Sequence, residues 1–313
     1  MKIFVAGGTG VLGLASLKAL IEAGHQVRAT ARTPEKAEVV RNLGAEAVSV
    51  DLYDPKDVRQ AVAGCEAILR LTTKIPPIRK MNDKSAWGET NLLRTEGARI
   101  LVDAGIAEGA QIYVHESITF VYADAGSQWI TEESPTDDGE SEILSSALDG
   151  EKEAGRFSQA GGRGIVLRFG GFYGVESSLT VDMISMMRRR LLVQPGPGSH
   201  FVSSIYIPDT GAAVLASLNV PSGIYNVTDE NPVSFKNYLS TLADAVHVPN
   251  PFRFPGVLGK ATFGDTWKYL SRSQRVSNAK FKKAAGWKPT VASVAEGWPL
   301  VAAALKPEPH EVS

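Results

Sequence analysis

An α/β fold built on a doubly wound parallel sheet is predicted for this chain of 313 residues by three observations. Apolar runs of strand length alternate with helix-period patterns through the first half. The stretches between successive runs are long enough for the right-handed crossovers that parallel strands need. The first run, Ile3 to Ala6, leads directly into Gly7-Gly8-Thr9-Gly10-Val11-Leu12-Gly13, a glycine turn between a strand and the start of a helix.

The elements follow in order. After a strand at 2–6, a helix is predicted over 11–23, with Val11, Leu14, Ala15, Leu17, Ala19, Leu20 and Ile21 at helical spacing and Gly24 where a C-cap belongs. Further strands are predicted near 26–31, 46–50, 66–71, 110–115 and 164–168, and helices near 34–43, 55–63, 84–104 and 140–160. This Rossmann-type core is expected to occupy residues 1–170, completed by about 201–228, with a smaller C-terminal substrate-binding lobe from 171–200 and 229–305 and a frayed tail at 306–313. There is no internal repeat or low-complexity linker.

The glycine turn carries the chemistry. Phosphate needs backbone N–H donors at close range, and a helix N-terminus offers unpaired N–H groups at the positive end of the peptide dipole. Side chains at the glycines would block that approach. Gly8, Gly10 and Gly13 satisfy G-x-G-x-x-G, while Gly7, Gly10 and Gly13 satisfy G-x-x-G-x-x-G. The turn reads as a pyrophosphate cradle made by Gly7, Thr9, Gly10, Val11, Leu12 and Gly13.

Composition excludes several classes. With 33 Lys+Arg against 34 Asp+Glu, no global field argues for nucleic acid or an anionic membrane. One cysteine, Cys65, leaves no internal disulfide framework, and its neighbours Glu66-Ala67-Ile68-Leu69 make it a small core hydrophobe rather than a reactive thiol. The chain enters its first strand almost at once, leaving no room for a signal-type segment, and no run of about 18 apolar residues occurs. A cytoplasmic monomer or homodimer without a metal site, acting on a small molecule, is expected.

The end of the second strand decides which dinucleotide fits. An acidic residue there would hold a free ribose 2′-hydroxyl and repel a 2′-phosphate. This chain instead runs Val27-Arg28-Ala29-Thr30-Ala31-Arg32-Thr33-Pro34. Arg32 could stack on adenine and pair with a 2′-phosphate, with Thr33 and Lys36 as neighbouring donors. NADP(H) is therefore favoured over NAD(H), which remains the alternative.

Further motifs give the chain a resemblance. Val50-Asp51-Leu52, Leu71-Thr72-Thr73, Asn91, Ile165-Val166-Leu167-Arg168-Phe169 through Tyr173-Gly174, Ile205-Tyr206-Ile207-Pro208-Asp209, Gly223-Ile224-Tyr225-Asn226-Val227, and Arg275 to Lys280 with Gly286-Trp287-Lys288-Pro289 follow one another in the expected order. Together with the glycine turn they resemble, over nearly the whole length, the extended or atypical short-chain dehydrogenase/reductase superfamily, specifically its NAD-dependent epimerase/dehydratase branch. The resemblance implies that Asp51 and Leu52 lie beside adenine and that Thr72, Thr73 and Phe172 line the cofactor.

That superfamily also implies a Tyr followed four residues later by a Lys, the lysine lowering the phenol pKa so that it exchanges a proton with the substrate oxygen. Here the candidate lysine is Lys152, and four residues before it stands Leu148, which has no proton to give. Lys152 could still hold the nicotinamide ribose, or it could be a solvent-facing helix lysine. The family segment S-S-x-x-V-Y-G resembles Ser117-Ile118-Thr119-Phe120-Val121-Tyr122-Ala123, so Ser117 or Thr119 could hold a substrate carbonyl, or simply bond the turn backbone. Tyr122 is the nearest phenol that could replace the missing one, and His115 is a further acid/base candidate.

In the second lobe, Met183, Met186 and Met187 read as adaptable core beside the cleft. Arg188, Arg189 and Arg190 could clasp a diphosphate, or could favour a helix C-terminus. Phe252, Phe254, Phe263, Trp267 and Tyr269 argue for an apolar or aromatic substrate. Three functions follow: an oxidoreductase acting on such a carbonyl or alcohol without the usual Tyr, a non-redox isomerase, cyclase, epimerase or dehydratase on the same fold, or a catalytically silent NADP(H)-binding regulator.

Overall fold

The computed structural model describes residues 1–77, 80–138, 141–255, 267 and 271–305. Seven parallel strands make the central sheet: β1 (Lys2–Ala6), β2 (Gln26–Thr30), β3 (Glu46–Val48), β4 (Ala67–Arg70), β5 (Ile112–Ile118), β6 (Arg163–Phe169) and β7 (Gly223–Val227). Their order is β7-β6-β5-β4-β1-β2-β3. The chain steps outward from β1 to β3 and then crosses back to β4. The crevice above the C-terminal ends of β1 and β4 is thus the switch point where ligands bind in such sheets.

Ile3, Phe4, Val5 and Ala6 are all fully buried, which is why β1 is a continuous apolar run: helices cover both faces of the sheet. One face packs α1 (Val11–Glu22) and α2 (Pro34–Asn42) through Leu12, Leu17 and Val40. The other packs α3 (Pro55–Val62) through Val58 and Val62. Thr33 and Asp54 cap α2 and α3, each followed by a proline whose missing N–H is no loss at a first helical position. Cys65 is buried and unpaired in this second layer, among Phe4, Val62 and Ile68.

Two elements differ from the sequence reading. The helix expected at 84–104 is a 3-10 turn at Lys84–Trp87 followed by α4 (Gly88–Arg94) and α5 (Glu96–Ala107). Thr95 breaks it, at φ −96° and ψ −81°, with its hydroxyl on the Asn91 carbonyl at 2.9 Å. The fifth strand, expected to end at 115, runs on to Ile118, with seven residues registered against β6 from Ile112↔Arg163 to Ile118↔Phe169. Glu116 and Ser117 disguised that extension, because a buried strand accepts them only when partners elsewhere satisfy them.

The helix α6 (Glu142–Gln159) packs beside α5 through Ala154 and Phe157. Beyond it lie α7 (Ser178–Arg188), α8 (Ile207–Ser217), α9 (Phe235–Ala245), α10 (Ala279–Ala285) and α11 (Val294–Ala304). A separate apolar cluster of Tyr173, Ile184, Met187, Leu239, Leu242 and Trp298 joins α7, α9 and α11. Met187 is core, and Arg190 donates to the Pro249 carbonyl at 2.7 Å and lies over Phe252. Phe263, Tyr269 and the tail at 306–313 lie outside the described residues. Among those described, no helix is long and apolar enough to cross a membrane, and no His, Cys, Asp and Glu cluster could hold a metal ion.

Candidate functional site

The glycine turn sits at the switch point, and each glycine has its own reason. Gly7 has φ +95°, and a Cβ there would fall 2.6 Å from the Leu71 carbonyl oxygen. Its N–H donates to Thr30 Oγ1 at 2.8 Å, tying the turn to the end of β2. A Cβ on Gly13 would fall 2.0 Å from the Gly7 oxygen, so the turn and the first turn of α1 fit only without it. At Gly10, by contrast, an added Cβ meets nothing nearer than 3.5 Å, and no side chain caps α1.

The exposed face of Gly10 and the first-turn N–H groups of α1 therefore open onto the crevice. Leu12 buries its side chain in the core and can offer only its backbone, while Thr9 and Val11 are half-buried. Beside Gly7, the buried Thr72 Oγ1 has no hydrogen-bond partner among the described residues. A cradle closed to side chains and a buried hydroxyl awaiting a partner fit a dinucleotide.

Just beyond the end of β2, Arg32 is mostly exposed and donates to Glu89 Oε1 at 3.1 Å. Thr33 uses its hydroxyl to cap α2 by accepting from the Lys36 N–H at 3.4 Å, while the Lys36 side chain stands in solvent. Asp51 Oδ1 accepts from the Tyr53 N–H at 2.9 Å, and Leu52 packs partly buried against the layer containing Val58. Phe172 lies on the short strand after β6, edge-on to Phe169.

Two buried ion pairs lie at the C-terminal ends of β4, β5 and β6. Arg70 Nη1 donates to the carboxylate and carbonyl of Glu116, both at 3.1 Å, and its Nη2 reaches the Thr72 carbonyl at 2.6 Å. Thr73 Oγ1 donates to the same Glu116 carboxylate at 2.6 Å. One strand over, Arg168 grips both oxygens of Glu151, at 2.8 and 2.6 Å, and Ser117 Oγ donates to Glu151 at 2.6 Å. Burial alone would lower the Arg168 pKa, but the Glu151 contact outweighs it and the net shift is upward. Arg94, nearly all buried, is brought down to about 10, chiefly by burial.

Several candidate residues are placed where they cannot act as expected. Lys152 points away from the sheet, with its side chain 75% exposed and its Nζ on Asp149 at 2.7 Å. The buried side of α6 carries Leu144, Ala147, Gly150, Glu151, Ala154 and Phe157, with Gly150 against the His115 ring of β5 and Glu151 on Arg168 of β6. Lys152 lies about 100° around the axis from Glu151, and Leu148 is only half-buried. Tyr122 is fully buried and donates to Asn226 Oδ1 at 2.7 Å. Burial pushes its phenol up to about 12, so it cannot replace a lowered-pKa tyrosine. His115 is fully buried against Tyr113, and burial, followed by Arg70 and Arg94, holds its pKa well below the ordinary value. Thr119 is buried at the start of a 3-10 turn.

Residues 7–152 match the profile of a family described as NAD(P)H-binding. The 3-diazoavenalumate denitrifying reductase of a Streptomyces species is 30% identical over 308 residues, covering 95% of this chain and 99% of its own. The chain belongs to the family of NAD(P)H-binding reductases that includes this enzyme. The ceramide reductase of Caulobacter vibrioides is 23% identical over 307 residues, 95% of this chain and 89% of its own. Among solved structures, a human epimerase family protein with NADPH aligns with TM-score 0.79 at 20% identity, covering 97% of this chain and all of that one. UDP-glucose 4-epimerase of Thermotoga maritima aligns with TM-score 0.78 at 18% identity, covering 97% and 98%.

Within this fold, the sequence reading passed over Arg70, Glu116, Glu151 and Glu89. The first was visible in principle: a charged residue ending the buried run Ala67-Ile68-Leu69-Arg70 requires a buried partner. Glu151 and Glu89 lie among exposed-type helix residues, so their inward direction follows from tertiary packing.

Proposed function

We propose that this protein is an NADP(H)-dependent reductase that passes hydride to an electrophilic aromatic substrate without a protein proton donor. The observation that carries the proposal is the buried side of α6. Where the superfamily's reaction calls for a phenol and an ammonium one turn apart, this helix presents Ala147, Gly150 and Glu151. Glu151 is committed to Arg168 and Ser117, so Ser117 is a support for that ion pair rather than a free donor. NADPH, when bound, supplies the hydride.

What the residues can do is hold and orient. The N–H groups beyond Gly10 would take the pyrophosphate, Arg32 with Lys36 the 2′-phosphate, Asp51 and Leu52 the adenine, and Thr72 Oγ1 a ribose hydroxyl. Thr73, held by Glu116, and Phe172 would flank the nicotinamide.

Proton balance then selects the substrate class. A carbonyl becomes an alcohol by gaining one hydride and one proton, and the missing general acid forfeits about 10²–10⁴ in rate. An aryl diazonium gains one hydride, loses dinitrogen and becomes an arene, with no proton entering the balance. The reductase most similar over the whole length among those named above acts on a diazo acid, and we carry that substrate class to this chain. In an anaerobic assay with NADPH, an aryl diazonium carboxylate should be reduced with one NADPH oxidised per dinitrogen released, at least about 100-fold faster than matched aromatic ketones. Ketone reduction at a rate equal to that of the diazonium, or with the diazonium untouched, would overturn the proposal.

A further inference from the structure

The Glu89 carboxylate joins two cations that belong to opposite sides of the glycine turn. Its Oε1 accepts from Arg32 at 3.1 Å and its Oε2 from Lys74 Nζ. Arg32 follows β2 and Lys74 follows β4, and in the sheet β1 lies between those two strands. The Arg32–Glu89–Lys74 bridge therefore passes over the C-terminal end of β1, directly above the strand that delivers Gly7. Thr90 Oγ1 donates to the Lys74 carbonyl at 2.5 Å and fixes α4 to the same loop. Tyr53 stands close enough that its phenol is pushed up by burial and then by Glu89. The side chains of Arg32 and Lys74 remain 69% and 59% exposed, so a ligand arriving from solvent can reach both and compete with Glu89 for them.

We infer that Glu89 is a resident anion that occupies the 2′-phosphate-recognising face of Arg32 and sets how strongly the protein distinguishes NADPH from NADH. The inference rests on the NADP(H) reading above. A monoanionic carboxylate and a phosphate of nearly two charges compete for the same guanidinium, and the phosphate wins because exposed ion pairs are individually weak. Each NADPH that binds must first release Glu89 from Arg32, whereas NADH has no phosphate to place there. Glu89 thereby holds NADPH affinity below what Arg32 could deliver, and keeps Arg32 paired when no phosphate is present.

Dissociation constants measured by calorimetry for NADPH, NADH and 2′,5′-ADP on wild type, Glu89→Gln and Arg32→Ala test this without any turnover. Glu89→Gln should tighten NADPH and 2′,5′-ADP by about fivefold and leave NADH within about twofold, with the gain shrinking as salt rises. A thermal melt of the free variant checks that it folds. If Arg32→Ala weakens NADPH while Glu89→Gln changes nothing, weakens NADPH, or tightens NADH equally, the Glu89 inference is overturned and the NADP(H) reading survives. If Arg32→Ala leaves NADPH binding at wild-type strength, the NADP(H) reading itself fails, and the inference with it.

Discussion

Replacing Gly10 by alanine separates the cradle's role in binding from its role in folding. Gly10 has φ −78° and ψ 172°, a conformation open to alanine, and the added methyl would meet nothing closer than 3.5 Å. The free protein should keep its stability or gain about 0.4–1 kcal/mol from the stiffer unfolded chain. The same methyl stands where a pyrophosphate must approach the α1 N–H groups. Losing two charge-assisted hydrogen bonds at about 1.5–3 kcal/mol each removes about 3–6 kcal/mol of binding, which raises the NADPH dissociation constant at least about 100-fold. Gly13→Ala makes the contrast, because its methyl would lie 2.0 Å from the Gly7 oxygen and 2.8 Å from the Gly8 carbonyl carbon. That variant should lose about 1–3 kcal/mol or more of stability before any ligand is added. The assay pairs urea denaturation of the free proteins with fluorescence titration by NADPH. Wild-type NADPH affinity in Gly10→Ala, or equal destabilisation by both substitutions, would refute the reasoning.

Glu151→Ala leaves Arg168 buried without its partner and should cost about 3–5 kcal/mol in urea denaturation; a loss under about 1 kcal/mol would contradict the buried-pair description. Lys152→Ala should leave NADPH affinity within about twofold, since an exposed ion pair with Asp149 contributes little; a tenfold loss would place the lysine at the cofactor. His115 has a folded-state pKa below its ordinary 6.5, so the unfolded chain takes up its proton first. Its contribution is full above pH 6.5 and is lost as pH falls, by at most about 1.4 kcal/mol per pH unit. Stability curves of wild type and His115→Asn should therefore converge as pH drops from about 6.5 to 5, and parallel curves would contradict the assignment.

The core of the fold was legible because its strands are short continuous apolar runs between helix-period segments, and because the caps Thr33-Pro34 and Asp54-Pro55 mark helix starts locally. The glycine turn was legible for the same reason, since what it needs is encoded in seven consecutive residues. The proposed reacting end was not. Which face of α6 meets the sheet depends on packing against β5 and β6, and Lys152, adjacent to Glu151 in sequence, falls on the outer side. The C-terminal half of β5 was hidden because its Glu116 and Ser117 are satisfied by Arg70, Thr73 and Glu151, partnerships that span 34 to 46 positions in the chain.

The most direct test of a hydride-transferring site without a protein proton donor is the fate of deuterium carried at the nicotinamide carbon. The purified protein would be incubated in ordinary water with NADPH dideuterated at C4 and an aryl diazonium carboxylate, and the mass of the arene product measured. One deuterium per product molecule, at the carbon that carried nitrogen, is the expected result. An unlabelled product formed while the cofactor stays reduced would contradict it.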